Sequence, residues 1–385
     1  MNFDFSDEQK FLRRTAREYL EAHAPLSVCR TVLESEAPYS EGLWKGVVEL
    51  GWQATAIPEA YGGAGFGHLE LAVIAEELGR ALVPIPFSSS IYLAAEALLV
   101  AGTEQQKKAV LPGLASGERI GTFAHAERPG QHGPEGVETE LDRAKLTGAK
   151  MAVPDGDIAH VAVVTAAGEH GSVLALVDLT GPGVERISAP SIDPSRSLAH
   201  LRFNGAPAQL LGGDGNGWSL AERVLDRAAV LMAFEQLGGA QRAFEITREY
   251  TLNRYAFGRP VASFQAIKHR LADLYVEIEL ARSNAYYGAW ALSHDNPELA
   301  TAACGARASA SDAFELASKE MIQLHGGIGY TWEVDCHLFY RRAKLLGAVL
   351  GSADQWRDRL IQRLGQRSPD ALRETPVESP SAAKA

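Results

Sequence analysis

The chain has 385 residues, of which 46% are hydrophobic and 22% are charged. This composition excludes wholesale disorder and collagen-like structure, and the length predicts two to three domains at about 150 residues per domain. The net charge of −11 does not favour a nucleic-acid-binding surface, and no apolar run reaches the roughly 18 residues of a membrane-spanning helix.

The cysteines and the N-terminal residues suggest a reducing compartment. Cys29, Cys304 and Cys336 form an odd, widely spaced set that argues against a disulfide framework and shows no zinc-binding spacing. The N-terminal sequence MNFDFSDEQKFLRR lacks the apolar core of a secretory signal peptide. We therefore expect a cytoplasmic protein without a metal site.

Residues 1–117 are predicted to be helical. Ser6, followed by two acidic residues and a glutamine, is a plausible N-cap of the first helix. Helical spacing of apolar residues follows it, and further helices are predicted at 70–82 and 90–101.

Residues 118–215 have a different texture, with short β-rich segments separated by Gly, Pro and Asp. Such spacing is typical of a small antiparallel β-domain. The segments are 145–153, 160–166, 172–179, 184–189 and 199–203.

Helical patterns return in residues 216–365, where the apolar residues are as dense as in the central helices of a bundle. Four helices are predicted, at 219–253, 264–294, 297–324 and 353–364. Residues 366–385 are rich in Pro, Ser and Ala and are predicted to form a mobile tail. The predicted fold class is α+β and multidomain, with an N-terminal helical domain, a middle antiparallel β-domain and a C-terminal four-helix bundle.

Several stretches, in the same order and at similar spacing, resemble the acyl-CoA dehydrogenase family. They run from about residue 3 to 364, and the most specific are RYAFGRP at 254–260, SFQAI at 263–267 and QLHGGIGY at 323–330. The resemblance implies FAD as cofactor and α,β-dehydrogenation of an acyl-CoA thioester, in which a carboxylate removes the Cα proton and a hydride leaves Cβ for flavin N5. It also implies an electron-transfer flavoprotein as acceptor, and a tetramer of identical chains or with a paralogous subunit.

The same resemblance assigns residues of the bundle to the cofactor. Arg254 matches the family arginine that pairs with the FAD pyrophosphate, usually across a subunit interface; outside the motif it would be a surface arginine at a helix end. Phe257 matches a ring on the adenine side, with an ordinary core aromatic as the alternative. Gly326 permits close approach of the cofactor, although it also fits a helix C-cap. The other matching positions are Phe264, Gln265, Gln323, Gly327 and Ser352.

Two segments of the middle region depart from the family pattern. The family's T-E-P-x-A-G-S-D segment corresponds to FAHAERPG at 123–130, and its W-I-T-N-G segment corresponds to AVPDG at 152–156. A stacking indole and a hydroxyl donor are thus replaced by alanine and proline, and proline has no N–H of its own. We therefore expect an altered flavin environment. His125, within the first segment, is either a group that titrates near neutrality or a structural histidine.

The family's usual catalytic base is also missing. The pattern A-K-x-x-x-x-Y-E-G-T reads AKLLGAVLGS at 343–352, which places Leu350 at the glutamate position. Leucine cannot accept a proton, but its backbone N–H would still be able to hold the thioester oxygen, so Leu350 is a predicted substrate contact. An alternative family position, in the pattern L-x-x-E-R on the first bundle helix, falls on Ala228.

Glu235 is the best remaining candidate for the base. On a helix it lies about 20° from the direction of Ala228 and about 10 Å along the axis, on an apolar stripe with Val224 and Leu231. A carboxylate on such a stripe is rarely buried unpaired, so the alternative is a structural ion pair or hydrogen bond with a histidine or arginine. Asp226 aligns with a family residue on the CoA side of the pocket; we expect it to contact substrate and rank it below Glu235 as a catalytic residue.

Three functional hypotheses follow. The first is an FAD-bound acyl-CoA dehydrogenase with Glu235 as base, in a subgroup that handles bulky or branched substrates. The second is a non-catalytic partner subunit of a heteromeric acyl-CoA dehydrogenase, as occurs in bacterial steroid side-chain degradation, where the other chain supplies the base. The third and most remote is a flavin-dependent oxygenase of the same fold.

Overall fold

The computed structural model describes residues 5–366 except 132, 134 and 135, so the predicted tail lies outside the described residues apart from its first position. The predicted N-cap is confirmed, because the Ser6 hydroxyl accepts from the Gln9 N–H and the Gln9 side chain accepts from the Ser6 N–H. The N-terminal helices are α1 (Asp7–His23), α2 (Leu26–Leu33), α3 (Glu41–Glu49), α4 (His68–Arg80), a π-helix (Ser88–Ala95), α5 (Glu96–Ala101) and α6 (Glu104–Ala115).

The middle region forms one sheet whose pairing closes on itself, since β4 pairs with β5 and, through one residue pair, with β2. Its strands are β1 (Gly121–Ala124), β2 (Glu140–Asp142), β3 (Lys145–Pro154), β4 (Val161–Gly168), β5 (Gly171–Asp178), β6 (Val184–Ala189) and β7 (Leu198–Leu211). Most neighbours are antiparallel, but β4 runs parallel to both β1 and β2. The alternation of buried and exposed residues along β7 shows that only one face of this strand packs on the core.

The C-terminal region is helical, as predicted, but contains a helix that the apolar pattern does not indicate. The elements are α7 (Gly217–Asn253), β8 (Tyr255–Ala256), β9 (Arg259–Pro260), α8 (Gln265–Ser293), α9 (Leu299–His325), α10 (Cys336–Val349) and α11 (Ala353–Gln366). Helix α10 was absent from the four predicted helices because its buried face includes a charged residue, Arg342, which interrupts the apolar periodicity. No helix among the described residues is long and apolar enough to span a bilayer.

Helices α4 and α7 cross in contact at two glycines. A Cβ built on Gly79 would lie 1.8 Å from the Glu235 carbonyl oxygen, and one built on Gly238 would lie 1.8 Å from that of Glu76. Only glycine allows the two backbones to approach this closely. The crossing fixes the part of α7 that contains Glu235 against the N-terminal domain.

Arg342 joins the three regions of the chain at one buried point. Its Nε donates to the carboxylate of Asp193 at 2.5 Å, and its Nη2 donates to the Ser195 hydroxyl at 2.9 Å. The two Nη atoms also donate to the carbonyls of Leu82 and Val83 at 3.2 and 3.3 Å. These hydrogen bonds offset the free-energy cost of burying the guanidinium, and they hold α10 against both other domains.

Candidate active site

A cavity of about 660 Å³ lies where the β-domain meets the middle of α9, the end of α10 and the start of α11. The β-domain contributes Phe123, His125 and residues 152–154, and the bundle contributes residues 347–355. The two segments that depart from the family pattern therefore face the segment that contains Leu350 and Ser352. Leu350 is 2% exposed, so an apolar side chain fills the position of the family's glutamate.

A bulge in β3 shapes the β-domain wall of this cavity. The register between β3 and β7 shifts between Lys150 and Val153, and Ala152 has a φ of 49°. The Met151 N–H donates to the Ala126 carbonyl at 2.8 Å, which ties the two departing segments together. Bulges of this kind redirect side chains and are common beside functional sites.

His125 is held as a neutral imidazole in this wall. Burial, reinforced by the positive charges of Lys150 and Arg359, lowers the pKa of His125 to about 4. Of the two alternatives for His125, this favours the structural histidine over a group that titrates near neutrality. Lys150 is itself buried, donates to Glu127 at 2.6 Å and to Thr165 at 2.9 Å, and has its pKa lowered by burial to about 8.

The carboxylates that line the cavity are already paired. Lys344 lies 2.7 Å from Glu315, and Arg357 contacts both Asp312 and Asp354. Burial raises the pKa of Asp312 in spite of this pairing. Sequence reasoning missed the three carboxylates, Asp312, Glu315 and Asp354, because they lie on two different helices, α9 and α11. They are the only acidic residues that line the cavity in the part of the chain that the structure describes.

A second groove, of about 560 Å³, is formed by the two bundle stretches that resemble FAD-binding segments. Arg254 follows α7, and Gln323, Gly326 and Gly327 lie at the end of α9; all four line the groove. Arg254 is exposed, and its side chain has no partner among the described residues. A Cβ built on Gly326 or Gly327 would meet no atom within 4 Å, so this backbone is open to a ligand.

Beside this groove, a tight hairpin between β8 and β9 presents Phe257. The two residues of the turn, Phe257 and Gly258, have φ of 52° and 78°, as expected for a type I′ turn. Phe257 is 95% exposed, which excludes the core-aromatic alternative. The Phe257 ring contacts the ring of Phe264. The Arg259 guanidinium lies over the other ring, that of Phe264. Gln265, the next residue, is exposed and begins α8. Phe257, Phe264 and Gln265 do not line the groove itself.

The two acidic candidates on α7 do not line the main cavity. Glu235 is buried, and its Oε1 lies 3.1 Å from Nη1 of Arg196, which precedes β7. Asp226 is also buried and accepts from Arg363 at 2.8 Å; burial raises its pKa to about 6, although Arg363 opposes this. Arg196 could not be found from sequence, because its pairing depends on how the β-domain docks on α7.

Comparison with known proteins identifies the family. The model of the acyl-CoA dehydrogenase N-terminal domain matches residues 6–118, and that of the C-terminal domain matches residues 215–365. The chain belongs to the acyl-CoA dehydrogenase family. Its cofactor is FAD, and its class of reaction is oxidation of a CH–CH bond in an acyl-CoA.

Three relatives show how close the match is. Acyl-CoA dehydrogenase IpdE2 of Mycolicibacterium smegmatis is 36% identical over 90% of this chain and 95% of its own length. The ChsE4–ChsE5 complex of Mycobacterium tuberculosis contains a chain with a TM-score of 0.88 and 27% identity, over 96% of this chain and all of that one. A Tcur3481–Tcur3483 steroid ACAD has a TM-score of 0.85 and 32% identity, over 93% of this chain and 98% of that one.

Proposed function

We propose that this chain is one subunit of a heteromeric FAD-dependent acyl-CoA dehydrogenase, in which a paralogous subunit supplies the base. The observation that supports this most strongly is the composition of the main cavity. Leu350 fills the position of the family's glutamate, and each acidic residue that lines the cavity in the described part of the chain is held by Lys344 or Arg357. Two solved relatives are named as pairs of different chains, which is consistent with such an assembly.

The residues of this chain fit FAD. The Arg254 guanidinium, without a protein partner and beside the open backbone of Gly326 and Gly327, suits a diphosphate. The main cavity has apolar walls, formed in part by Phe123 and Leu350, that suit a planar ring system. Because the groove and the cavity are separate, we infer that the groove serves the FAD of a neighbouring subunit.

The contribution of this chain to the reaction is binding and exclusion of water. FAD, when bound, accepts the hydride that leaves Cβ. Phe123, Val153 and Leu350 form an apolar part of the lining, where a bound acyl group would displace water and strengthen the polar contacts beside it. The backbone N–H of Leu350 is directed at the Ala348 carbonyl, so holding a thioester oxygen requires this contact to open.

Glu235 has a structural role in this proposal. A base must reach the proton that it removes, whereas the Glu235 carboxylate is buried, is paired with Arg196 and does not line the cavity. Asp226 is likewise held by Arg363, and we place it behind the cavity as a support for α11.

The remaining partners follow from the family. We propose an electron-transfer flavoprotein as the electron acceptor and a heterotetramer as the assembly. The three cysteines are buried and free, which is consistent with the cytoplasm.

The experiment compares the chain alone with the chain co-expressed with a paralogous subunit, each saturated with FAD. Acyl-CoA is added without oxygen, and bleaching of the flavin absorbance and formation of enoyl-CoA are measured. We expect the co-expressed assembly to bleach and the chain alone to remain oxidised. Stoichiometric bleaching and enoyl-CoA formation by the chain alone would overturn the proposal.

A further inference from the structure

Among the described residues that line the main cavity, Arg359 is the one cation without a hydrogen bond or ion pair to the protein. The other cations of the lining, Arg128, Lys344 and Arg357, each lie within 4 Å of a carboxylate. The Arg359 guanidinium makes no hydrogen bond or ion pair among the described residues, and its Nη1 is buried without an acceptor. A buried, unsatisfied charged donor is costly, so it indicates a partner that is not part of the protein.

The surroundings hold this guanidinium in place. It lies over the Trp356 ring, with its carbon 4.8 Å from the ring centre. Trp356 is fully buried and donates to the Leu350 carbonyl at 3.0 Å, which fixes the ring beside the segment that lines the cavity. His125, in the same lining, is neutral and adds no competing charge. Arg359 is therefore a pre-organised donor in the lining of the cavity.

We propose that Arg359 binds an electron-rich oxygen of the molecule that enters this cavity, and that this contact completes its hydrogen bonds. The matching ligand has an apolar body and one oxygen edge with negative or partial negative charge. A planar guanidinium recognises such an edge with two parallel hydrogen bonds.

The inference rests on the proposed function, which supplies two sources of this chemistry. One is the oxygen-bearing edge of the flavin, which gains negative charge on reduction. The other is a carboxylate on the acyl group of the thioester. The two sources are separated by measuring the flavin and the thioester independently.

The experiment uses the co-expressed assembly as wild type and with Arg359→Met, Arg359→Lys or, as a control, Arg143→Met. Methionine has a similar length without charge, and Arg143 is 91% exposed on the β2–β3 turn, away from the cavity. The first measurement is the reduction potential of bound FAD. The second is calorimetric affinity for butyryl-CoA and for succinyl-CoA, which carries a terminal carboxylate.

If the flavin is the source, Arg359→Met weakens binding of reduced relative to oxidised FAD about tenfold, which lowers a two-electron potential by about 30 mV. If the acyl group is the source, Arg359→Met weakens the binding of succinyl-CoA at least tenfold and the binding of butyryl-CoA less than twofold. Arg359→Lys should recover part of either effect, and Arg143→Met should show neither. Unchanged potential and unchanged affinities in Arg359→Met would overturn the inference.

Failure of this inference is distinguishable from failure of the proposed function. Bleaching of the wild-type assembly by acyl-CoA tests the proposed function and does not depend on the variants. The calorimetric measurement needs no redox activity, so it decides the acyl-group arm even if the assembly does not bleach.

Discussion

The ion pair between Glu235 and Arg196 gives the sharpest prediction about stability. Both side chains are buried, at 4% and 8% exposure, with 3.1 Å between Oε1 and Nη1. Arg196 also donates to the Ser88 hydroxyl, so the pair links α7, the β-domain and the π-helix. Glu235→Ala leaves a buried guanidinium without its counter-charge, and breaking such a pair costs about 3–5 kcal/mol.

The loss of unfolding free energy in Glu235→Ala can be measured by thermal unfolding. An unfolding entropy of about 2.1 cal/mol/K per residue gives roughly 0.8 kcal/mol/K for a chain of this length. A loss of about 4 kcal/mol therefore lowers Tm by about 5 °C if the chain unfolds as one unit. The double variant Glu235→Leu with Arg196→Met removes both charges and should recover most of the loss, because an apolar pair avoids the desolvation penalty.

Glu235→Gln separates the structural role from a catalytic one. Glutamine keeps an acceptor for Arg196 but not the charge, so we expect a smaller loss of about 1.5–3 kcal/mol. Bleaching of the flavin by acyl-CoA should be unchanged in the folded assembly. A free energy of unfolding for Glu235→Ala within about 1 kcal/mol of wild type would contradict the buried ion pair, and loss of bleaching in Glu235→Gln while FAD stays bound would contradict the structural role.

Three further predictions concern the groove, the domain junction and pH. Arg254→Ala should weaken FAD binding about 10- to 100-fold in an equilibrium titration, because a charge-assisted contact to phosphate contributes about 1.5–3 kcal/mol; unchanged affinity would contradict the assignment. Arg342→Met should cost about 3–5 kcal/mol in urea unfolding, with more than half recovered by adding Asp193→Leu; full wild-type stability of the single variant would contradict the junction. His125 has a pKa of about 4 when folded, against 6.5 for the free side chain, so stability should fall as pH decreases from 6.5 to 4. His125→Gln should lessen that fall, and an identical pH profile would show that His125 is not responsible.

The order of the domains and the position of the groove could be predicted from the sequence. Arg254 and Gly326 are 72 positions apart, yet their motifs indicated one cofactor site, and the fold brings both to the same groove. Local composition was sufficient for the helical and β-rich regions, because each has its own periodicity. Local periodicity does not predict helix α10, because its buried face contains a charge, Arg342. The residues that pair with this charge belong to other domains.

The candidate site was less accessible to prediction because it depends on docking between domains. The apolar stripe on α7 indicated that Glu235 is either a base or part of a structural ion pair. The partner of Glu235 in that pair, Arg196, lies 39 residues earlier, in the β-domain. Arg359 is one of three arginines on α11, and periodicity does not tell which of them lines the cavity without a carboxylate partner. The exposure of Phe257 follows from a turn conformation that its aromatic character alone does not indicate.

The most direct test of the account is the fraction of flavin that acyl-CoA bleaches after the partner loses its base. In the co-expressed assembly, the glutamate at the Y-E-G-T position of the paralogous subunit is replaced by glutamine, and this chain is left unchanged. The account predicts that no flavin is bleached, because this chain has Leu350 at that position. Continued bleaching of about half of the flavin, with enoyl-CoA formed, would show that this chain contains a base of its own.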